Sequence, residues 1–470
     1  MRDLCRNAVD AAIGAGASYA DARAVFRRSQ SVATKNGSVE ALSDVESEGI
    51  GVRVLAGGAW GFACDSRLSD AGARDAALRA CAFARAAGGR ASELAPIEPR
   101  QGTFRTQVEI DPMSVSLADK IELCLRAEAA LARPEVNVAE AFVRAQVERK
   151  SLVSSEGTDV EQEFVECGGG IDAMAVGEEI SQIRSYPSAH GGSSAQAGWE
   201  YVLALGLERE APRVAEQAAA LLSAPVCPSG VMDVVVDYEQ MELQVHESVG
   251  HPTELDRVYG SEASYAGTSF LHPGDLGSLR YGSELMNITA DPTTPRGLGT
   301  FAFDDEGVAA APVPIVREGV LVGWLGSREV GFAGSMRADG WSRMPLVRMT
   351  NLHLEPGEGS LEELIAGVER GLYLETNKSW SIDDKRLNFQ FGTQIAWEIA
   401  DGKLGRMLRD ATYTGITPVF WGSLDAVAGP EEWRMDGLTN CGKGQPGQAA
   451  HVSHGTSPAR FRNVQVGVRA

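Results

Sequence analysis

The chain has 470 residues, 44% of them hydrophobic and 23% charged, enough apolar material for more than one core and a length that calls for two or three domains. Its 64 acidic against 43 basic residues leave a formal net charge of −21. With no long basic run to offset the repulsion, this argues against a nucleic-acid or anionic-membrane partner, and basic or neutral peptides are better tolerated.

The N-terminal residues 1 to 16 predict a helix. Asp3 and Asp10 interrupt its apolar run, so it lacks a signal-peptide core. No segment approaches the roughly 18 consecutive apolar residues of a membrane span, and a cytoplasmic protein is expected. Strands follow through YADARAVFRRSQSVATKNGSVEALSDVESEGIGVRVLAGGAWGFACDS, with Asn36-Gly37 as a hairpin turn because both residues tolerate positive φ. Residues 71 to 87, rich in Ala and Arg without a breaker, predict a second helix. ELAPIEPRQGTFR, residues 93 to 105, reads as a linker.

A related pattern comes next: a helix over 117 to 132, strands turning at Glu156-Gly157, a Gly/Ser stretch at 190 to 198, and an Ala-rich helix over about 209 to 223. The first half therefore reads as two related α/β units, 1–92 and 93–223. APVCPSG, 224 to 230, marks the boundary of a third domain, 224–470. There VMDVVVD predicts a strand, DYEQMELQVHESVGHPTELDRV a helix, and 260 to 300 a Gly/Pro/Thr-rich loop region. The remainder alternates as antiparallel strands, with hairpins at Arg317-Glu318-Gly319 and Asp401-Gly402 and a short helix over 360 to 370. The fold class is α+β, with a strand-rich C-terminal half.

The seven cysteines, Cys5, Cys64, Cys81, Cys124, Cys167, Cys227 and Cys441, are an odd set without a C-x-x-C and do not form a disulfide framework. Most read as small buried hydrophobes. Cys441 lies in TNCGKGQPGQ, a Gly-rich polar stretch read as a loop, where a thiol gains little from burial.

VHESVGHPTEL, residues 245 to 255, holds two of the seven histidines in an H-E-x-x-x-H spacing, one residue longer than the zinc-protease H-E-x-x-H. Positions five apart on an α-helix point roughly 140° away from each other, so His246 and His251 cannot share an ion in a regular helix. A π-bulge would align them. Gly250 weakens the helix locally and Pro252 lacks an N–H, so a distortion is predicted at Val249 to Pro252. Glu247 would then lie beside the ion. A catalytic zinc takes a third protein ligand and keeps a position for water. Cys441 suits that role as a thiolate on a Gly-rich segment, whereas His272, His353, His451 and His454 show no ligand spacing and read as structural or surface residues.

The stretches VHESVGHPTELDRV (245–258), FDDEG (303–307), RMTNLHLEPG (348–357) and NCGKGQPGQ (440–448) together resemble the TldD branch of the TldD/PmbA (TldE) metallopeptidase family, in the family's order and over nearly the whole chain. The resemblance implies zinc held by His246, His251 and Cys441, Glu247 as general base, and a peptide substrate that is short or unfolded. It also implies a homodimer or a heterodimer with a TldE/PmbA-like paralogue. Two other functions fit the same residues: an amidase tailoring a small peptide-like metabolite, and a non-catalytic scaffold whose metal is closed by a fourth protein ligand.

Overall fold

The computed structural model describes residues 1–89, 93–265, 267–444 and 447–467. Helix α1 (Arg2–Gly14) buries Cys5, Ala8, Val9 and Ala12, the three- and four-residue spacing of one apolar stripe. Strands β1 (Tyr19–Lys35) and β2 (Ser38–Ala56) form a hairpin whose turn residues Asn36 and Gly37 have φ of 49° and 81°. Strand β3 (Ala59–Asp65) and helix α2 (Asp70–Ala87) follow, and the Ser69 hydroxyl caps α2 by accepting the Gly72 N–H. The expected linker is partly structured, because Gln101–Arg105 forms strand β4.

The same order then recurs. Helix α3 (Leu117–Ala129) precedes strands β5 (Val136–Ser154), β6 (Asp159–Val176) and β7 (Ser181–Tyr186), strand β8 (Ser193–Ala195), and helices α4 (Trp199–Leu205) and α5 (Leu207–Leu221). Strand β8 falls within the Gly/Ser stretch, which carries no local strand pattern, and helix α4 starts directly after it. Strand β8 exists because Cys167, Gly168 and Gly169 of β6 accept it as a partner. A Cβ on Gly168 would lie 2.1 Å from the Ser193 carbonyl. Both α/β units share one sheet, ordered β3-β2-β1-β5-β6-β4 with β7 and β8 against β6. Its centre is the antiparallel pairing of β1 with β5, from Asp21–Ser154 to Lys35–Glu140.

The C-terminal half is strand-rich and mostly antiparallel. It begins with strand β9 (Gly230–Val236), helix α6 (Tyr238–Val245) and helix α7 (Leu255–Val258). Short strands follow: β10 (Ile288–Ala290), β11 (Val313–Arg317), β12 (Val320–Leu321), β13 (Met336–Arg337), β14 (Leu346–Val347) and β15 (Asn351–Leu354). After helix α8 (Leu361–Ala366) come β16 (Arg370–Ile382), β17 (Asn388–Ala400), β18 (Lys403–Leu408) and β19 (Ala411–Ile416). Helix α9 (Thr417–Gly422), β20 (Leu424–Val427), β21 (Arg434–Lys443), β22 (Gln448–Thr456) and β23 (Ala459–Val466) complete it. The tight turns at Glu318-Gly319 and Asp401-Gly402 again pair positive φ values, 47° with 74° and 49° with 73°.

Strand β17 pairs with both β16 and β19, which closes β16-β9-β23-β19-β17 into a barrel around Val234, Leu374, Phe391, Tyr413 and Phe461. A second sheet runs β12-β11-β10-β15-β22-β21 and leaves β21 at its edge.

The FDDEG turn joins the halves. The Asp304 carboxylate accepts the N–H groups of Glu306, Val308 and Met336, and so shapes the turn. Asp305 then reaches Lys150 of β5 at 2.8 Å, and Glu306 reaches Arg53 of β2 at 3.3 Å. Arg53, 4% exposed, also pairs with Asp21 at 2.7 Å. Removing one member of a buried charge set leaves the others uncompensated. Arg53→Met is expected to cost about 3–5 kcal/mol, read as a lower denaturation midpoint.

Candidate metal centre

Helix α6 leaves the barrel at β9 and runs on into a five-residue π turn, His246–Gly250, and a 3₁₀ turn, His251–Thr253. The His251 N–H donates to the His246 carbonyl, the i→i+5 bond of a π turn. The distortion thus starts three residues before the predicted Val249 to Pro252. Pro252 cannot donate to the Ser248 carbonyl four residues back, and the Tyr281 hydroxyl fills that place at 2.5 Å. Gly250 is needed for close approach, since a Cβ there would lie 2.1 Å from Met349 Sδ. The His246 and His251 rings meet at a centroid distance of 4.8 Å.

Cys441 completes the group. The ligand atoms of His246, His251 and Cys441 lie within 4.8 Å of one another, and all three residues are buried. Cys441 sits on β21, not in a loop, because Gln448–Ala450 of β22 pair with it and its neighbours. A bulge between Leu438 and Cys441 shifts the register there. Burial pushes the Cys441 thiol up, but His251 and Arg348 outweigh it and hold the thiol below its ordinary value, which favours the thiolate that binds metals.

Neighbours decide which imidazole nitrogen faces the group. His454 Nδ1 lies 3.2 Å from the Leu352 carbonyl. A carbonyl only accepts, so this nitrogen carries the proton. Burial, reinforced by His246, holds the His454 pKa well below its ordinary value. Neutral His454 therefore accepts through Nε2 from His246 Nδ1–H at 2.7 Å, leaving the His246 Nε2 lone pair free. His251 Nδ1 faces the Glu254 carboxylate at 3.1 Å, and its Nε2 faces Cys441 Sγ at 3.9 Å. Lys443, two residues beyond Cys441, reaches the same carboxylate at 3.3 Å. Burial raises Glu254, but Lys443 and His251 outweigh it and keep it far below the carboxylate range. Two oriented Nε2 atoms and a thiolate in a buried cleft suit a borderline-soft metal ion.

Glu247 borders the same cleft, with its Oε2 2.5 Å from Arg386 Nη1. Burial raises this carboxyl, and His251, His246 and Arg386 together bring it below its ordinary value. Arg386 lies in the hairpin between β16 and β17 at φ 62°, and the Thr417 hydroxyl donates to its carbonyl. The other histidines lie outside the donor group. His272 caps a short 3₁₀ turn, His353 stands between Thr294 and the Gly455 N–H, and His451 pairs with Glu166. His454, which spacing left without a site role, orients His246. His190 and Arg386 were also missed, since each reaches the cleft from a loop with no motif spacing.

The chain matches three domain descriptions of one family: PmbA/TldA metallopeptidase domain 1 over residues 20–84, the central domain over 110–224 and the C-terminal domain over 229–468. It belongs to this family and is a metal-dependent peptidase. A metalloprotease of Methanothermobacter thermautotrophicus is 31% identical over 96% of this chain and 95% of its own length. A zinc metalloprotease TldD homolog of Saccharolobus solfataricus is 24% identical over 51% of this chain and 52% of its own. The fold matches TldE from Thermococcus kodakarensis with a TM-score of 0.75 at 15% identity, covering 99% of each chain.

His353 offers a pH test away from the donors. Burial pushes its pKa down to about 4, so between the unfolded value of about 6.5 and about 4 the unfolded chain binds the extra proton. Stability is complete above that window and falls as pH drops through it. In His353→Gln the slope of unfolding free energy against pH should be shallower by up to about one proton in that window and unchanged above it.

Proposed function

We propose that this chain is a zinc peptidase of unfolded or short peptides, with His246, His251 and Cys441 as ligands and Glu247 as general base. The convergence of three buried donors, each oriented or polarised by a neighbour, carries the reading. The Saccharolobus relative's name supports zinc among the metals that fit this donor set. Zinc held there would acidify a water molecule and polarise the scissile carbonyl.

Glu247 takes the proton of the attacking water and hands it to the leaving amine. Its Oε2 is engaged by Arg386, so Oε1 is the atom that exchanges the proton. Arg386 fixes the carboxylate plane, and His454 and Glu254 hold the two imidazoles. A cleft of about 260 Å³, lined by Leu438, Asn440 and Gly442 of β21, suits a short peptide. The TldE-like fold supports pairing with a second copy or a TldE/PmbA-like paralogue.

Glu247→Ala should retain zinc and lose cleavage of an unfolded peptide by about 10²–10⁴-fold. His246→Ala and Cys441→Ala should lose the zinc itself. His454→Ala should weaken zinc by about 10–100-fold, measured by competition with a chelator. A Glu247→Ala protein that cleaves at the wild-type rate would overturn the assignment.

A further inference from the structure

The cleft holds carboxylates that this chemistry does not use. Glu242 lies one helical turn before His246 on α6, and Asp436 lies on β21, the strand of Cys441. Glu242 is 8% exposed. Its Oε1 accepts the Asp436 backbone N–H at 2.9 Å, which sets the two residues side by side. Among the described residues, Glu242 Oε2 has no hydrogen-bond or ion-pair partner, and the residue lines the cleft. The Asp436 carboxyl is in reach of the Ser193 hydroxyl, while its Oδ2 is buried without a hydrogen-bond partner.

A third acid shows the contrast. Glu239 is also buried, but its oxygens accept from the Ser188 hydroxyl at 2.7 Å and the Asn377 N–H at 2.9 Å. Arg386 is the one arginine or lysine lining the cleft among the described residues, and Glu247 engages it. Two adjacent carboxylates therefore face the cleft with no protein cation to balance them. Burial pushes both up, Asp436 to about 6 and Glu242 well above its usual range, where Asp436 adds to the effect. Such a pair is costly to keep ionised in a low-dielectric wall, so it holds protons until an outside cation meets it.

The geometry points to a subsite in which Glu242 and Asp436 bind a primary ammonium group of the peptide, either its N-terminal amine or a lysine side chain. This rests on the peptidase reading above. Glu242 offers one free oxygen, Oε2, beside an Asp436 that lines the same wall, which suits a compact ammonium with three donors. A guanidinium favours both oxygens of one carboxylate, and neither residue offers two, since Glu242 Oε1 is already engaged and Asp436 Oδ2 is buried. One helical turn is about 5.4 Å and an extended residue about 3.3 Å, so the ammonium belongs within a residue or two of the scissile bond.

The test uses full-length, zinc-loaded protein carrying Glu247→Gln, so that binding is read without turnover. Four peptide amides, Ala-X-Ala-Ala-Ala with X lysine or norleucine and the N-terminus free or acetylated, are titrated by calorimetry. The proposal predicts that one ammonium source binds at least about tenfold tighter than the doubly neutral peptide; the arm that shows the gain identifies the source. Adding Glu242→Gln or Asp436→Asn should shrink that ratio below about threefold, with circular dichroism and zinc content confirming an intact protein. Equal binding of all four peptides, or a ratio unmoved by folded variants, would overturn the proposal. Cleavage by the protein with Glu247 intact is measured alongside, alone and with a TldE/PmbA-like paralogue: cleavage without a charge preference sinks only the subsite, and absence of cleavage in both preparations sinks the peptidase reading.

Discussion

The bond from the His251 N–H to the His246 carbonyl is the constraint on which the candidate metal centre rests. In a regular α-helix the two imidazoles would diverge by about 140°. One inserted residue turns the second ring back over the first, and each part of the insertion has a local cause. Pro252 withdraws a donor, Tyr281 satisfies the carbonyl left behind, and Gly250 lets Met349 close on the helix. The Thr253 hydroxyl donates to the Val249 and Gly250 carbonyls and ends the irregular segment. A π turn stores unfavourable local geometry; here packing on every side, from His246 to Gly250, holds it.

The other parts of the centre take their positions from that turn. Strand β22 brings His454 to His246, while β21 brings Cys441 to His251 and Lys443 to Glu254. One β-hairpin and one bent helix thus hold donors and orienting groups together, and a shift of either would misalign several contacts at once. Away from the centre, the Asp304–Glu306 turn performs a comparable task between the halves, exchanging buried ion pairs with β2 and β5. The N-terminal sheet also reaches the cleft directly through His190, whose ring meets Trp380 of β16 edge-on at a centroid distance of 5.0 Å.

What was legible in the sequence was what local rules encode. Turns at Asn36-Gly37 and Asp401-Gly402 follow from positive φ, and the helix distortion follows from Gly250 and Pro252. The H-E-x-x-x-H spacing and the Cys441 segment singled out the residues that the fold brings together, and the family resemblance gave their order along the chain a meaning. What escaped depends on partners distant in the chain. Strand β4 is a strand because β6 pairs with it, and Cys441 lies in a strand because β22 does the same. The task of His454 arises only when β15 supplies the Leu352 carbonyl. Arg386 reads as one more charge in a polar hairpin until the fold places it against Glu247.

The most direct test of this account is zinc-edge X-ray absorption on the full-length protein loaded with one equivalent of zinc, wild type beside Cys441→Ser. The account predicts two nitrogen ligands at about 2.0–2.1 Å, one sulfur at about 2.3 Å and one further light atom from solvent, with the sulfur contribution lost in Cys441→Ser. A wild-type spectrum without sulfur, or one unchanged by that substitution, would contradict it.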